Sequence, residues 1–260
     1  MQFRPCIDIH NGQVKQIVGS SLRDSMNYAK ENFVSDKDGA YYAGLYRDMN
    51  LTGGHVIMLN SRDSEYYEAT KAQAMSALSA FPYGLQIGGG ITADNAKEFI
   101  DAGASHVIVT GYVFKDGRIK YDNLEKLVSA VGKNHIVLDL SCRLRDGRYY
   151  IVTDRWQNFT DEILDTSLLE KLSEYCDEFR VHAVDSEGKS SGLDENVLEI
   201  LAGVENDGKY VVTYAGGVSS VDDIIQIKEK GHNRVNVTVG SRLSIFGGDI
   251  SIEEILECIQ

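Results

Sequence analysis

Gln86-Ile-Gly-Gly-Gly-Ile-Thr92 and Thr213-Tyr-Ala-Gly-Gly-Val-Ser219 decide how this chain is read. Each is an apolar strand-like run entering adjacent glycines, then a Ser or Thr, then a helix-like segment. Glycine there allows backbone angles closed to other residues and lets a ligand reach the main chain. The N–H groups at the start of the following helix favour an anion such as phosphate. The two copies stand in register: Gly89 to Gly216 and Gly90 to Gly217 are each 127 residues apart. Thr110, in His106-Val-Ile-Val-Thr-Gly111, and Thr238, in Val235-Asn-Val-Thr-Val-Gly-Ser241, are 128 apart. Asp8 and Asp139, which end apolar runs, are 131 apart. A repeat of about half of the 260 residues implies an internal duplication and a ligand with a phosphate at each end.

Outward from these stretches the chain alternates strand and helix patterns. Strands are expected near 3–9, 54–59, 82–87, 107–110, 136–140, 179–184, 210–214 and 235–239. Helices are expected near 37–51, 66–80, 93–102, 122–131, 167–175, 194–202, 219–230 and 252–258. Residues 10–34 are polar without a clear period and read as a long loop. Residues 141–159 read as irregular, with a hairpin turn at Asp146-Gly147. Eight alternations with no linker predict one α/β domain over 1–260, a (β/α)8 TIM barrel built from two similar half-barrels. In a doubly wound sheet the phosphate glycines follow the first strand; here they follow the third and seventh, which favours the barrel.

Composition narrows the function. Net charge of -13 leaves no basic cluster for nucleic acid. No run reaches the length of a membrane span, and Met1 to Pro5 leads straight into a strand, so a cytoplasmic protein without a signal peptide is expected. The four cysteines lack metal or redox spacing and read as reduced thiols. No His/Asp/Glu cluster has metal-ligand spacing, so neither metal nor cofactor is expected. A barrel of this size buries a full core, and a monomer is expected.

Barrel active sites lie at the C-terminal ends of the strands. Asp8 and Asp139 end strands one and five, opposite each other across the ring, where two carboxylates can act as acid and base on one substrate. A capping role for either is the structural alternative. Gly89, Gly90, Thr110 and Gly111 form one expected phosphate cradle; Gly216, Gly217, Gly240 and Ser241 form the other. Tight loop packing is the alternative for both. Trp156, in the loop after strand five, is placed to fold over the mouth and stack on a planar ring, or to be a half-buried surface aromatic. His182 reads as a core histidine or a catalytic one.

Together, Pro5-Cys-Ile-Asp-Ile-His-Asn-Gly-Gln-Val14, Gln86-Ile-Gly-Gly-Gly-Ile91, Val137-Leu-Asp-Leu140, Val181-His-Ala183, Tyr214-Ala-Gly-Gly-Val218 and Val237-Thr-Val-Gly240 resemble the phosphoribosylformimino-5-aminoimidazole carboxamide ribotide isomerases of histidine biosynthesis, in their eukaryote-like form. The resemblance covers the whole chain. It implies an Amadori rearrangement of a small bisphosphorylated substrate, with Asp8 as base, Asp139 as acid and Trp156 over the substrate. The chain departs from the bacterial members at Met58, Ala183 and Glu187-Gly188, and Glu187 becomes a secondary candidate in substrate binding. The strand-six loop is similar to that of the sister cyclase of imidazole glycerol phosphate synthase, but the cyclase's lysine position holds Gln16, with Lys15 next to it. The cyclase and a non-catalytic phosphosugar-binding barrel are the alternatives, and the related tryptophan-pathway substrate stays open.

Overall fold

The structure is a computed structural model, and it describes residues 1–17, 21–23, 27–154, 156–186, 192–204 and 208–260. Eight strands, β1 (Cys6–His10), β2 (Gly54–Met58), β3 (Leu85–Gly88), β4 (His106–Val109), β5 (Ile136–Arg145), β6 (Glu178–Ala183), β7 (Val211–Ala215) and β8 (Val235–Val237), pair in parallel in chain order. Phe3, just ahead of β1, makes a parallel bridge to Val237 on β8. The Arg4 N–H donates to the Val237 carbonyl at 2.8 Å and the Val237 N–H to the Gln2 carbonyl at 3.0 Å. These bonds bring the first and last strands together and give the sheet the connectivity of a (β/α)8 barrel.

Among the described residues eight α-helices follow the strands: α1 (Gly39–Asp48), α2 (Tyr67–Ala80), α3 (Ala93–Asp101), α4 (Tyr121–Val131), α5 (Thr166–Leu172), α6 (Glu195–Ala202), α7 (Val221–Lys230) and α8 (Ile252–Ile259). Their starts are written in the sequence. Asp38, Asp165, Asp194, Ser220 and Ser251 accept first-turn N–H groups of the helices they precede. Each helix buries one face against the strands: Phe99 on α3, Leu124 and Leu127 on α4 and Ile224 and Ile227 on α7 are fully buried.

Two segments differ from the sequence reading. Residues 10–34 do not form a featureless loop. Gln13–Ile17 pairs antiparallel with β1, and Glu31–Val34 pairs with it in turn. The pattern hid this because the polar residues of the first strand are buried with partners: Lys15 holds Glu31 at 2.6 Å, and the Gln16 amide donates to Asp8 at 3.2 Å. Residues 141–159 are not irregular either. β5 runs on to Arg145, turns at Asp146-Gly147 with positive φ at both, and returns as Arg148–Thr153, which pairs with Asn158–Ile163. Arg145 lies over the rings of Tyr150 and Phe159, at 4.2 and 4.5 Å, so this ribbon is stabilised by cation–π contacts that an apolar-period search does not score.

Inside the ring, near the start of the strands, the Glu178 carboxylate is 3% exposed and fully engaged. It accepts from Arg4 at 2.9 Å, Gln86 at 2.7 Å and Thr213 at 2.8 Å, joining the N-terminal segment, β3, β6 and β7. Removing one partner of such a pair strands the other charge away from water. Glu178→Leu is expected to lower unfolding free energy by about 3–5 kcal/mol in urea titrations, and adding Arg4→Met to recover much of that loss.

Candidate active site

The duplication in the sequence is present in the backbone. Gly89 and Gly90 have φ of 103° and 66°; Gly216 and Gly217 have 99° and 73°. A Cβ on Gly89 would stand 2.0 Å from the Met58 carbonyl oxygen, and one on Gly216 would stand 2.8 Å from that of Ala183. Both loops turn hard against the neighbouring strand, which only glycine permits. The following helices are capped alike. Asn95 accepts from the Thr92 N–H at 2.7 Å, and Asp223 accepts from those of Ser219 and Ser220 at 2.7 and 3.0 Å. The cap residues' own N–H groups are therefore occupied.

Two cavities open at the C-terminal ends of the strands. The first, about 430 Å³, is lined by Asp8, Gln16, His55, Arg180 and His182 together with the cradle residues Gly216, Gly217, Gly240 and Ser241. The second, about 750 Å³, is lined by Asp139, Arg62, Lys115 and Arg180 together with Gly89, Gly90, Thr110 and Gly111. Each aspartate thus shares a cavity with the cradle from the other half of the sequence. Ring order explains this: β8 lies beside the start of β1, and β4 beside β5.

The expected residues therefore fall into two groups that meet, with two exceptions. Trp156 lines neither cavity. It is held over the inner end of the ribbon, its indole N–H donating to Ser141 at 3.2 Å and its ring edge-on to His182 at 5.0 Å. Glu187 lies outside the described residues.

Sequence reading missed Arg180. It occupies the middle of β6, level with Asp139 on β5 and Thr213 on β7, and its guanidinium lies 3.3 Å from the Asp139 carboxylate. Its signal was available: an arginine inside the apolar run Phe179–Val181, two residues from His182 and so on the same face. His55, also inward on β2, has its pKa pushed well below the ordinary 6.5, first by burial and then by the charge of Arg180 and Arg4. It is a neutral donor or acceptor at pH 7. Among the described residues no group of His, Cys, Asp and Glu is placed to hold a metal ion, and no helix is long and apolar enough to cross a membrane.

Comparison with known proteins shows the chain's family. A family model described as histidine biosynthesis protein matches residues 2–250. A protein of Medicago truncatula is 50% identical over 260 residues, 98% of this chain and 81% of its own length. It is named a chloroplastic 1-(5-phosphoribosyl)-5-((5-phosphoribosylamino)methylideneamino)imidazole-4-carboxamide isomerase. Proteins of Yarrowia lipolytica and Neurospora crassa carry the same isomerase name at 44% and 41% identity, over 95% and 98% of this chain and 93% and 97% of theirs.

A histidine held neutral in the fold binds its proton only on unfolding. The unfolded state therefore takes up the extra proton below pH 6.5, and stability falls as pH falls through that value. The slope from this one group approaches about 1.4 kcal/mol per pH unit. Denaturation curves between pH 7.5 and 5 are expected to show a shallower acid loss in His55→Asn than in the unaltered protein.

Proposed function

The chain belongs to the histidine biosynthesis protein family, and we infer that it performs the aldose–ketose isomerisation for which its relatives are named. The observation that carries the reading is the pairing of one aspartate with one glycine cradle in each of two cavities that share Arg180. The name borne by those relatives describes a molecule with two phosphoribosyl groups. Such a ligand, laid across the rim, has a cradle for each phosphate and a carboxyl group beside each half.

The reaction then needs proton transfers alone. Asp139, in the second cavity, protonates the furanose ring oxygen, and the ring opens as the glycosylamine nitrogen pushes its electron pair into an imine. Asp8, in the first, removes the C2 proton to give an enaminol, and a proton returned to C1 with loss of the C2 hydroxyl proton completes the ketose. Gln16, donating to Asp8 at 3.2 Å, fixes that carboxylate where a β-strand alternation already aims it inward. Loop closure by Trp156 is part of the same proposal: the ribbon that carries it stands beside the rim.

The cyclase reading loses support. Gln16 is uncharged where a lysine was wanted, and Lys15 is tied to Glu31 rather than lining a cavity. One chain supplies both cradles and both aspartates, which supports a monomer as the working unit. Free, mostly buried thiols at Cys6, Cys142, Cys176 and Cys258 support a reducing compartment, the cytosol in this proposal.

Turnover of the aldose substrate is followed at the imidazole chromophore. Asp8→Asn and Asp139→Asn are each expected to lower kcat by about 10²–10⁴-fold while KM stays within a few fold. Near-normal rates in both variants would remove the acid–base assignment.

A further inference from the structure

We propose that Arg180 is the residue that positions the middle of the ligand, gripping Asp139 with one arm and donating to sugar oxygens with the others. This rests on the isomerase reading for the ligand's identity. Among the described residues Arg180 alone lines both cavities. Any molecule reaching from one cradle to the other passes it.

Its surroundings are unusual for an arginine. The side chain is 14% exposed, and so is that of Asp139. One terminal nitrogen, Nη2, is 3.3 Å from Asp139 Oδ2. Nε and Nη1 are buried and have no hydrogen-bond partner in the protein, and neither has Asp139 Oδ1. A buried, unanswered N–H is costly, and this pair carries two of them together with an unanswered carboxylate oxygen. The Arg4–Glu178 pair below it differs in degree: both carboxylate oxygens are used, by Arg4, Gln86 and Thr213, and Nε of Arg4 alone is left without a partner. Donors left open on a rigid planar fork, at the junction of two cavities, are suited to oxygen acceptors on a ligand.

The arrangement also explains how Asp139 is aimed. Its strand neighbour at the same level is Arg180 itself, so the guanidinium both fixes the carboxylate and faces the ligand it must reach. Lysine keeps the charge but not the fork, which separates electrostatic from directional roles.

The test uses Arg180→Met and Arg180→Lys in the full chain, with two independent readouts. In calorimetry, Arg180→Met is expected to bind ribose 5-phosphate about 10- to 100-fold more weakly than the unaltered protein and inorganic phosphate equally well. In turnover, both variants are expected to show raised KM and lowered kcat, with millimolar guanidinium chloride restoring part of the Arg180→Met rate. If the unaltered protein fails to isomerise, the binding comparison still reports on Arg180. Unchanged ribose 5-phosphate binding, equal loss of phosphate and sugar-phosphate binding, or full activity in Arg180→Lys would each overturn the proposal. Should Arg180→Met fail to fold, Arg180→Lys carries the same two measurements.

Discussion

Acidic and basic side chains share the narrow inside of one strand ring, and the charge balance among them is the constraint from which the site follows. Alternation along β6 sends Glu178, Arg180 and His182 to the same inward face. Asp8 and Asp139 arrive there from β1 and β5. A barrel core is ordinarily filled by layers of branched apolar residues. Here Arg4 compensates Glu178 at the base, and Arg180 compensates Asp139 nearer the mouth. In the lower pair both carboxylate oxygens are hydrogen-bonded, and the pair holds strands together. The upper pair is not, and it coincides with the cavities. Stability and function are thus separated by depth along one strand, about two residues apart.

The halves of the sequence are crossed in the site they build. Because the ring returns to its start, the cradle after β7 and β8 faces Asp8, while the cradle after β3 and β4 faces Asp139. A half-barrel alone would therefore carry a cradle with the wrong neighbour. Only pairing of the chain's first residues with Val237 brings Asp8 to Gly216 and Gly217. Closure of the barrel and completion of the first cavity are the same event.

Much of this was legible in the sequence because glycine and aspartate carry strong local signals. Gly89 and Gly216 cannot be replaced without meeting backbone, so their motif survives any change in packing. The helix caps at Asp165 and Ser220 are equally local. What stayed hidden depends on partners far along the chain. Gln13–Ile17 is a strand because β1 and Glu31–Val34 flank it, not because its own pattern alternates. Arg180 matters through Asp139, 41 residues earlier, and nothing in Phe179-Arg-Val181 names that partner. Trp156 donates to Ser141 and stands edge-on to His182 at the inner end of the ribbon, contacts with residues 15 and 26 positions away that its own loop does not announce.

A net charge of -13 repels a bisphosphate, while the proposed reading has one held at the rim. The two effects act over different distances. At physiological salt the field of distant carboxylates fades within about 8 Å, so the bulk of the acidic surface is screened from a ligand already at the mouth. There the local set decides: Arg62, whose side chain passes beside Gly90, with Lys115 in the second cavity, and Arg242 in the first, anchored on the Ser219 carbonyl at 3.2 Å. Short-range donors fix the strength of the complex, while the long-range field governs the rate of encounter. An acidic protein can therefore hold a polyanion firmly and still meet it slowly. The cradles, being main chain, contribute donors without adding a charge that would have to be balanced inside the ring.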